Sequence, residues 1–145
     1  MVPWEQATTH VLSHSLHYGT AVFEGIRANK TSRGTSIFRL DSHIKRLMNS
    51  AKIMQMNTNF GYNDFFNACI QVVKENKLET CYIRPLIFFG FKKMGLDTVG
   101  VPVQACIAAW HWDAYLGKKA LEKGASLKVS SFTRHHVDVM MTKSK

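Results

Sequence analysis

The hydrophobic positions of this chain switch between two periods, and the switches mark its elements. In "GTAVFEGIRAN", Ala21, Phe23, Gly25 and Arg27 alternate with Val22, Glu24, Ile26 and Ala28, a period of two that predicts a strand with two unlike faces. "TSRGTS" then predicts a turn and "SIFRL" a second short strand, so the pair reads as a hairpin. Asp41 reads as an N-cap, because Ile44, Leu47, Met48, Ala51 and Met54 follow at spacings of three and four; Arg46 lies off this apolar stripe. A second helix is predicted to begin near Asn63 or Asp64 and to run through "FFNACIQVVKEN", burying Phe66, Cys69, Ile70 and Val73. "CYIRPLIFFGF" is strongly β-prone, and its Pro85 marks either an edge position or an irregularity in the ladder. "VPVQACIAAWHW" reads as a strand covered on both faces, "KKALEKG" as a short helix ended by Gly124, and "ASLKVSSF" as a last strand. Strands, then two helices, then further strands predict an α+β fold: a largely antiparallel sheet with two main helices on one side.

Composition adds a few exclusions. A chain of 145 residues with 46% hydrophobic content suits a domain with a real core. It has no apolar run of about eighteen residues, and "MVPWEQATTH" lacks the basic and apolar regions of a signal peptide, so the expectation is a cytoplasmic protein that does not engage a membrane. Cys69, Cys81 and Cys106 never fall as C-x-x-C and read as reduced, buried thiols rather than a disulfide framework or a zinc site. The net charge of +9 raises nucleic acid as a partner, but the 19 Lys and Arg occur in ones and twos with no accompanying motif. A solvated basic surface, or one side of a contact with a more acidic segment, accounts for them, and no nucleic-acid partner is expected.

Two strands carry polar groups where a core strand should not. The period of two puts Tyr82, Arg84, Leu86 and Phe88 on one face, so a phenol and a guanidinium project together among apolar side chains. An anion site in an oily pocket is built this way, with the arginine fork taking a carboxylate; a simple ion pair at the sheet edge is the structural alternative. In "HYGTAVFEGIR", Phe23, Gly25 and Arg27 share a face, with Tyr18 just before the strand. Glycine inside a strand weakens it unless something approaches the backbone closely or a bulge forms there. His10, His14 and His17 have helical spacing but no acidic companion at metal distance, so packed or surface histidines are expected and no metal.

Taken together, "HSLHYGTAVFEGIR", "FRLDSHIKRLMNSAK", "CYIRPLIF", "WHWDAYLG" and "SSFTRHHVDVMMTKSK" resemble, in that order, the N-terminal half of bacterial branched-chain amino-acid aminotransferases. These are fold-type IV, class IV enzymes that use pyridoxal 5'-phosphate. The resemblance spans essentially the whole chain. It implies that Lys145, not Lys143, is the lysine that carries the cofactor, and that Arg46 in "HIKRL" binds the cofactor phosphate. It implies a substrate pocket lined by Tyr18, Phe23, Arg27, Tyr82, Arg84 and Tyr115, with Trp112 a further candidate and Arg84 holding the distal carboxylate of glutamate. The implied reaction is ping-pong transamination of Leu, Ile and Val with 2-oxoglutarate, in a homo-oligomer whose small-domain loops reach a neighbouring subunit. On this pattern residues 1–115 form the small N-terminal domain, and 116–145 the interdomain linker and the start of a large cofactor-binding domain. Family chains are about twice as long, so the expectation is an N-terminal part that is inactive alone: a lysine nucleophile needs desolvation and neighbouring positive charge to be neutral.

Overall fold

The computed structural model describes residues 1–112, 116–136 and 138–145. Its elements, after a single 3-10 turn at Trp4–Gln6, are α1 (His14–Tyr18), β1 (Ala21–Phe23), β2 (Ile26–Thr31), β3 (Gly34–Ile37), α2 (Leu40–Ile53), α3 (Tyr62–Glu75), β4 (Cys81–Phe89), β5 (Val103–Trp110) and α4 (Lys118–Lys123). Every strand pairing is antiparallel, and β4 is the hub. Along one edge of β4 run β1 and β2, with Phe23 opposite Leu86 and Ile26 opposite Ile83; along the other runs β5, and β3 closes a hairpin onto β2.

The β1 and β2 pairings keep one register, so "GTAVFEGIRAN" is a single run interrupted at Glu24 and Gly25. Pro85 is the cause. Glu24 N–H donates to the Pro85 carbonyl at 3.0 Å, but proline has no N–H to return, and the ladder skips a rung. Pro85 therefore marks the irregularity; it does not sit at an edge, since β4 is paired on both sides.

Alternation sorts the sheet faces. Val22, Glu24, Ile26, Ala28, Cys81, Ile83 and Ile87 are buried beneath α2 and α3 with Ile44, Leu47, Ala51, Phe65, Cys69 and Val73. The helices thus lie on one side, as the sequence predicts. Phe65 rather than Phe66 is the buried phenylalanine of α3, while Phe66 and Ile70 pack at the margin of the core. Both helix starts differ from expectation. α2 begins at Leu40 behind Arg39, whose φ of 50° is left-handed, so Asp41 falls inside the first turn and not at the cap. There it accepts a hydrogen bond from Tyr62 Oη at 2.8 Å and meets Lys45 Nζ at 3.0 Å, a carboxylate favoured near a helix N-terminus. α3 begins at Tyr62, and Asp64 reaches back to accept the Gly61 N–H at 2.7 Å, half of a capping box.

Three further expectations fail. β5 is covered on one face only: Val103, Ala105, Ile107 and Ala109 meet the core, while Gln104 and Cys106 are exposed. Cys106 is therefore not a buried thiol, unlike Cys69 and Cys81. "ASLKVSSF" forms no strand; Leu127 and Val129 are each 94% exposed, because β-propensity needs a partner edge to act on. Among the described residues no helix is long and apolar enough to cross a membrane.

Ile83, fully buried at the centre of β4, sets the test of this core. Ile83→Ala should cost about 2–5 kcal/mol, whereas Leu127→Ala on the exposed segment should stay within about 0.5 kcal/mol. Urea unfolding midpoints at constant slope measure both. Equal losses would mean that the helix-covered face is not the core.

Candidate active site

The face of the sheet away from the helices carries Phe23, Arg27, Tyr82, Arg84 and Trp110, each put there by strand parity. Arg84 Nη2 donates to Tyr82 Oη at 2.9 Å. Its guanidinium carbon stands 4.6 Å from the Phe23 ring centre, 5.2 Å from that of Tyr82 and 5.9 Å from that of Trp110. Tyr82 in turn packs on Trp110 at 5.1 Å and on Trp112 at 4.6 Å. Arg27, Tyr82, Arg84 and Trp112 line a cavity of about 230 Å³. Arg84 Nε is buried and has no partner among the described residues. A buried donor left unsatisfied is costly, and an aromatic cage around an arginine suits a ligand that brings a carboxylate to a greasy pocket.

Gly25 is part of this arrangement. A Cβ at this position would lie 2.1 Å from Tyr82 Oη. The Tyr82 ring leans across the strand where only glycine leaves room, so the close approach named by the sequence is made by a neighbouring side chain.

The second group of residues gathers at Glu24, whose side chain has no exposed surface. Its carboxylate takes the Arg46 fork, with Nη2 at 2.6 Å and Nε on the other oxygen. His43 Nδ1 donates to it at 2.8 Å, and Lys145 Nζ stands 3.9 Å away. Burial pushes the Glu24 carboxyl up, yet hydrogen bonds from Arg46 and His43 and the charges of Arg46 and Lys145 outweigh this and hold it below its ordinary value. The same bond raises Arg46 further above its already high value.

Lys145 is fixed by its main chain as well. Its N–H donates to Ser50 Oγ at 3.0 Å, and its carbonyl accepts the Phe23 N–H at 3.0 Å. Ser144 Oγ donates to the Ser50 carbonyl at 3.3 Å. Lys145 Nζ also lies 5.7 Å from the centre of the Phe23 ring, which Arg84 neighbours as well. The two groups therefore meet at the edge of β1.

Of the residues singled out by the sequence, Phe23, Arg27, Tyr82, Arg84 and Trp112 come together, and Arg46 and Lys145 share Glu24. Tyr18 does not join them: its ring packs tilted against that of His14 at 4.4 Å, and its hydroxyl accepts the Gly95 N–H at 3.2 Å. Tyr115 lies outside the described residues. Glu24, His43, Ser50 and Trp110 escaped the sequence reading. Glu24 did leave a signal, being a carboxylate on the apolar parity of its strand between Val22 and Ile26. The histidines at 10, 14 and 17 are structural: His10 stacks on Phe91, His14 Nε2 donates to the Gly95 carbonyl, and His17 Nε2 to that of Val11. Among the described residues no three His, Cys, Asp or Glu side chains gather as a metal site.

The donor set fits an anionic group. Around Glu24 the charges of Arg46 and Lys145 exceed the single carboxylate by one, and half of the Arg46 side chain remains exposed. A lysine amine beside an accessible arginine is the pairing that a phosphate-bearing aldehyde would need.

A family model described as amino-transferase class IV matches residues 21–143, and the chain belongs to that family. Its relatives are more particular. The chain is 50% identical over 145 residues to a branched-chain-amino-acid aminotransferase of Pseudomonas aeruginosa, covering 100% of this chain and 47% of the relative. It is 44% identical over 146 residues to the enzyme of that name from Escherichia coli K12, with the same coverage. A solved structure of a T.th. branched-chain amino acid aminotransferase with pyridoxamine 5'-phosphate superposes with a TM-score of 0.91 at 48% identity, over 99% of this chain and 48% of that one. The chain thus spans about half the length of the relatives it matches.

The Glu24 cluster predicts an acid limb. Because the folded carboxyl titrates below its ordinary 4.5, its stabilisation is fully present above that pH and is lost as pH falls through the folded value. Urea midpoints of the parent should drop through this window, and those of Glu24→Gln should be flatter there. Arg46→Met should be worse at neutral pH, by about 3–5 kcal/mol, since it leaves a buried charge without its main partner. Parallel acid limbs in parent and Glu24→Gln would remove Glu24 from the account.

Proposed function

We propose that these residues supply one wall and the reactive lysine of a pyridoxal 5'-phosphate-dependent branched-chain aminotransferase. Its reaction converts Leu, Ile or Val with 2-oxoglutarate into the 2-oxo acids and glutamate. The observation that carries this reading is the meeting of Lys145 and Arg46 on one buried carboxylate, beside a ring-lined arginine. When bound, the cofactor would supply the electron sink for the substrate α-carbon. Lys145 Nζ is the amine that would hold it and that, once released, moves a proton at the α-carbon. Arg46 would bind its phosphate through the part of the guanidinium that Glu24 leaves free. Arg84 pairs with the distal carboxylate of glutamate, and Phe23, Tyr82 and Trp112 border an apolar side chain in the same space. One pocket takes both because a guanidinium offers its edge to an anion and its planar face to hydrocarbon. Discrimination among Leu, Ile and Val should be weak, since one methylene is worth about 1–3 kcal/mol.

In this reading residues 1–115 are the small domain, and 116–145 lead into a larger cofactor-binding domain. The activity belongs to the assembled protein, and the 145 residues alone should transfer no amine. The assembly is a homo-oligomer. Tyr18 supports this: it stands outside the cavity of its own chain, on a lobe where His10 meets Phe91 and His14 meets Gly95, and where Val11, Leu16, Met94 and Leu96 are exposed. A second copy covering that lobe would bring Tyr18 to a pocket not its own.

The test replaces the matching segment of the Pseudomonas aeruginosa relative with these 145 residues. The chimera should transaminate leucine with 2-oxoglutarate. Arg84→Met should raise the KM for 2-oxoglutarate by about 10–100-fold, the worth of a charged hydrogen bond, and that for leucine far less. Equal effects on the two substrates would remove Arg84 as the carboxylate site.

A further inference from the structure

One face of α2 carries His43, Arg46 and Ser50, at spacings of three and four that stack them along the helix. Two of these bind Glu24, and the third binds the main chain of Lys145. Ser50 is only 1% exposed, and both its polar groups are occupied: the hydroxyl accepts the Lys145 N–H, and the carbonyl accepts the Ser144 hydroxyl. On the other side Phe23 donates its N–H to the Lys145 carbonyl. The peptide groups of Lys145 are thus held from a helix and from a strand edge, while its ammonium faces Glu24 at 3.9 Å.

We propose that Ser50 and Glu24 are positioning residues for Lys145, Ser50 gripping its main chain and Glu24 steering its amine towards Arg46. The inference rests on the reading of Lys145 as the lysine that takes the cofactor. Neither residue touches a reacting atom; each acts through the lysine. The geometry gives the division of labour. A long lysine side chain has many rotamers, and only a fixed Cα combined with a fixed charge partner selects one direction. Ser50 supplies the first constraint and Glu24 the second. Arg46 occupies most of the same carboxylate, leaving Lys145 the looser contact. The amine can therefore leave Glu24 without breaking the bonds that orient Arg46. The arrangement aims the lysine without trapping it in a tight ion pair.

The test uses the 145-residue chain with pyridoxal 5'-phosphate, trapped by borohydride and mapped by mass spectrometry. Label in the parent should concentrate on Lys145 over Lys143 and the other lysines. Ser50→Ala should lower the share on Lys145 about five-fold, the factor one ordinary hydrogen bond is worth, and Ser50→Thr, which keeps the hydroxyl, should restore it. Glu24→Gln should also lower that share, and Glu24→Asp should recover part of it. Amide hydrogen exchange, read without cofactor, should show Lys145 N–H protected in the parent and unprotected in Ser50→Ala. Rapid exchange of that amide in the parent would disprove the clamp even if no Ser50 variant folded. Label spread evenly over the lysines of the parent would overturn the reading of Lys145 and this inference with it. Selective label in the parent that survives Ser50→Ala and Glu24→Gln unchanged would overturn the inference alone.

Discussion

A carboxylate taken out of water costs several kcal/mol and must be met by charge and hydrogen bonds, or it gives up its ionisation. Glu24 is met by the Arg46 fork, by His43 and by the Lys145 ammonium. Such clusters seldom raise stability above that of an apolar core of the same volume. What this one does is fix positions. It ties the step between β1 and β2 to α2 through two side chains one helical turn apart, and it holds two cations within a single site although they repel each other. Remove the carboxylate and the Lys145 main chain would still be held by Ser50 on α2, but the charge partner shared by Arg46 and the Lys145 ammonium would be gone.

The missing rung in the sheet determines where this can happen. Pro85 gives Glu24 a carbonyl to donate to but no N–H in return, so the ladder relaxes at Glu24 and Gly25 without losing register at Ile26. On the open face of the same step, the absent side chain of Gly25 lets Tyr82 lean across the strand until its hydroxyl reaches Arg84. The interruption thus serves both faces. Inward it places a carboxylate where a core residue is expected, and outward it lets a phenol hold a guanidinium.

The open face was legible because a strand has a strict period of two: once Tyr82 and Arg84 share a face, pairing brings Phe23 and Arg27 to it. The same rule, applied to β5, would have set Cys106 and Trp110 on that face. Reading "VPVQACIAAWHW" as covered on both sides hid them, since small apolar residues occur at both parities. "ASLKVSSF" misled for a different reason: its propensity is real, but no sheet edge receives it. Partners were the least legible feature. His43, Arg46 and Ser50 have helical spacing in the sequence, yet nothing local says that Glu24, 19 and 22 residues before the first two, will lie beneath them. The cost of burying an unpaired carboxylate is the constraint that could have asked for them. Tyr18 shows the converse limit. Resemblance assigned it to a pocket, and its own fold puts it against His14 and Gly95, away from the cavity of its own chain.

The scattered basic charge of the chain also acquires a physical sense here. A search for runs of lysine and arginine finds surfaces that bind polyanions, because such surfaces work by releasing many counterions at once. Small dianions demand something else: single guanidiniums, each oriented by its own scaffold and partly desolvated, separated by the length of the ligand. Arg46 is oriented by Glu24, and Arg84 by Tyr82 and the surrounding rings, with its Nε buried and without a partner among the described residues. Neither is near a run of like charge that would mark it out. The Phe23 ring neighbours both the Arg84 guanidinium and the Lys145 ammonium, 4.6 Å from one and 5.7 Å from the other. That shared ring brings the two cations to one site, so an amine chemistry proposed for Lys145 and an anion proposed for Arg84 can be neighbours. Charge placed in this way cannot be recognised by its density along the chain. It is recognised by what orients it.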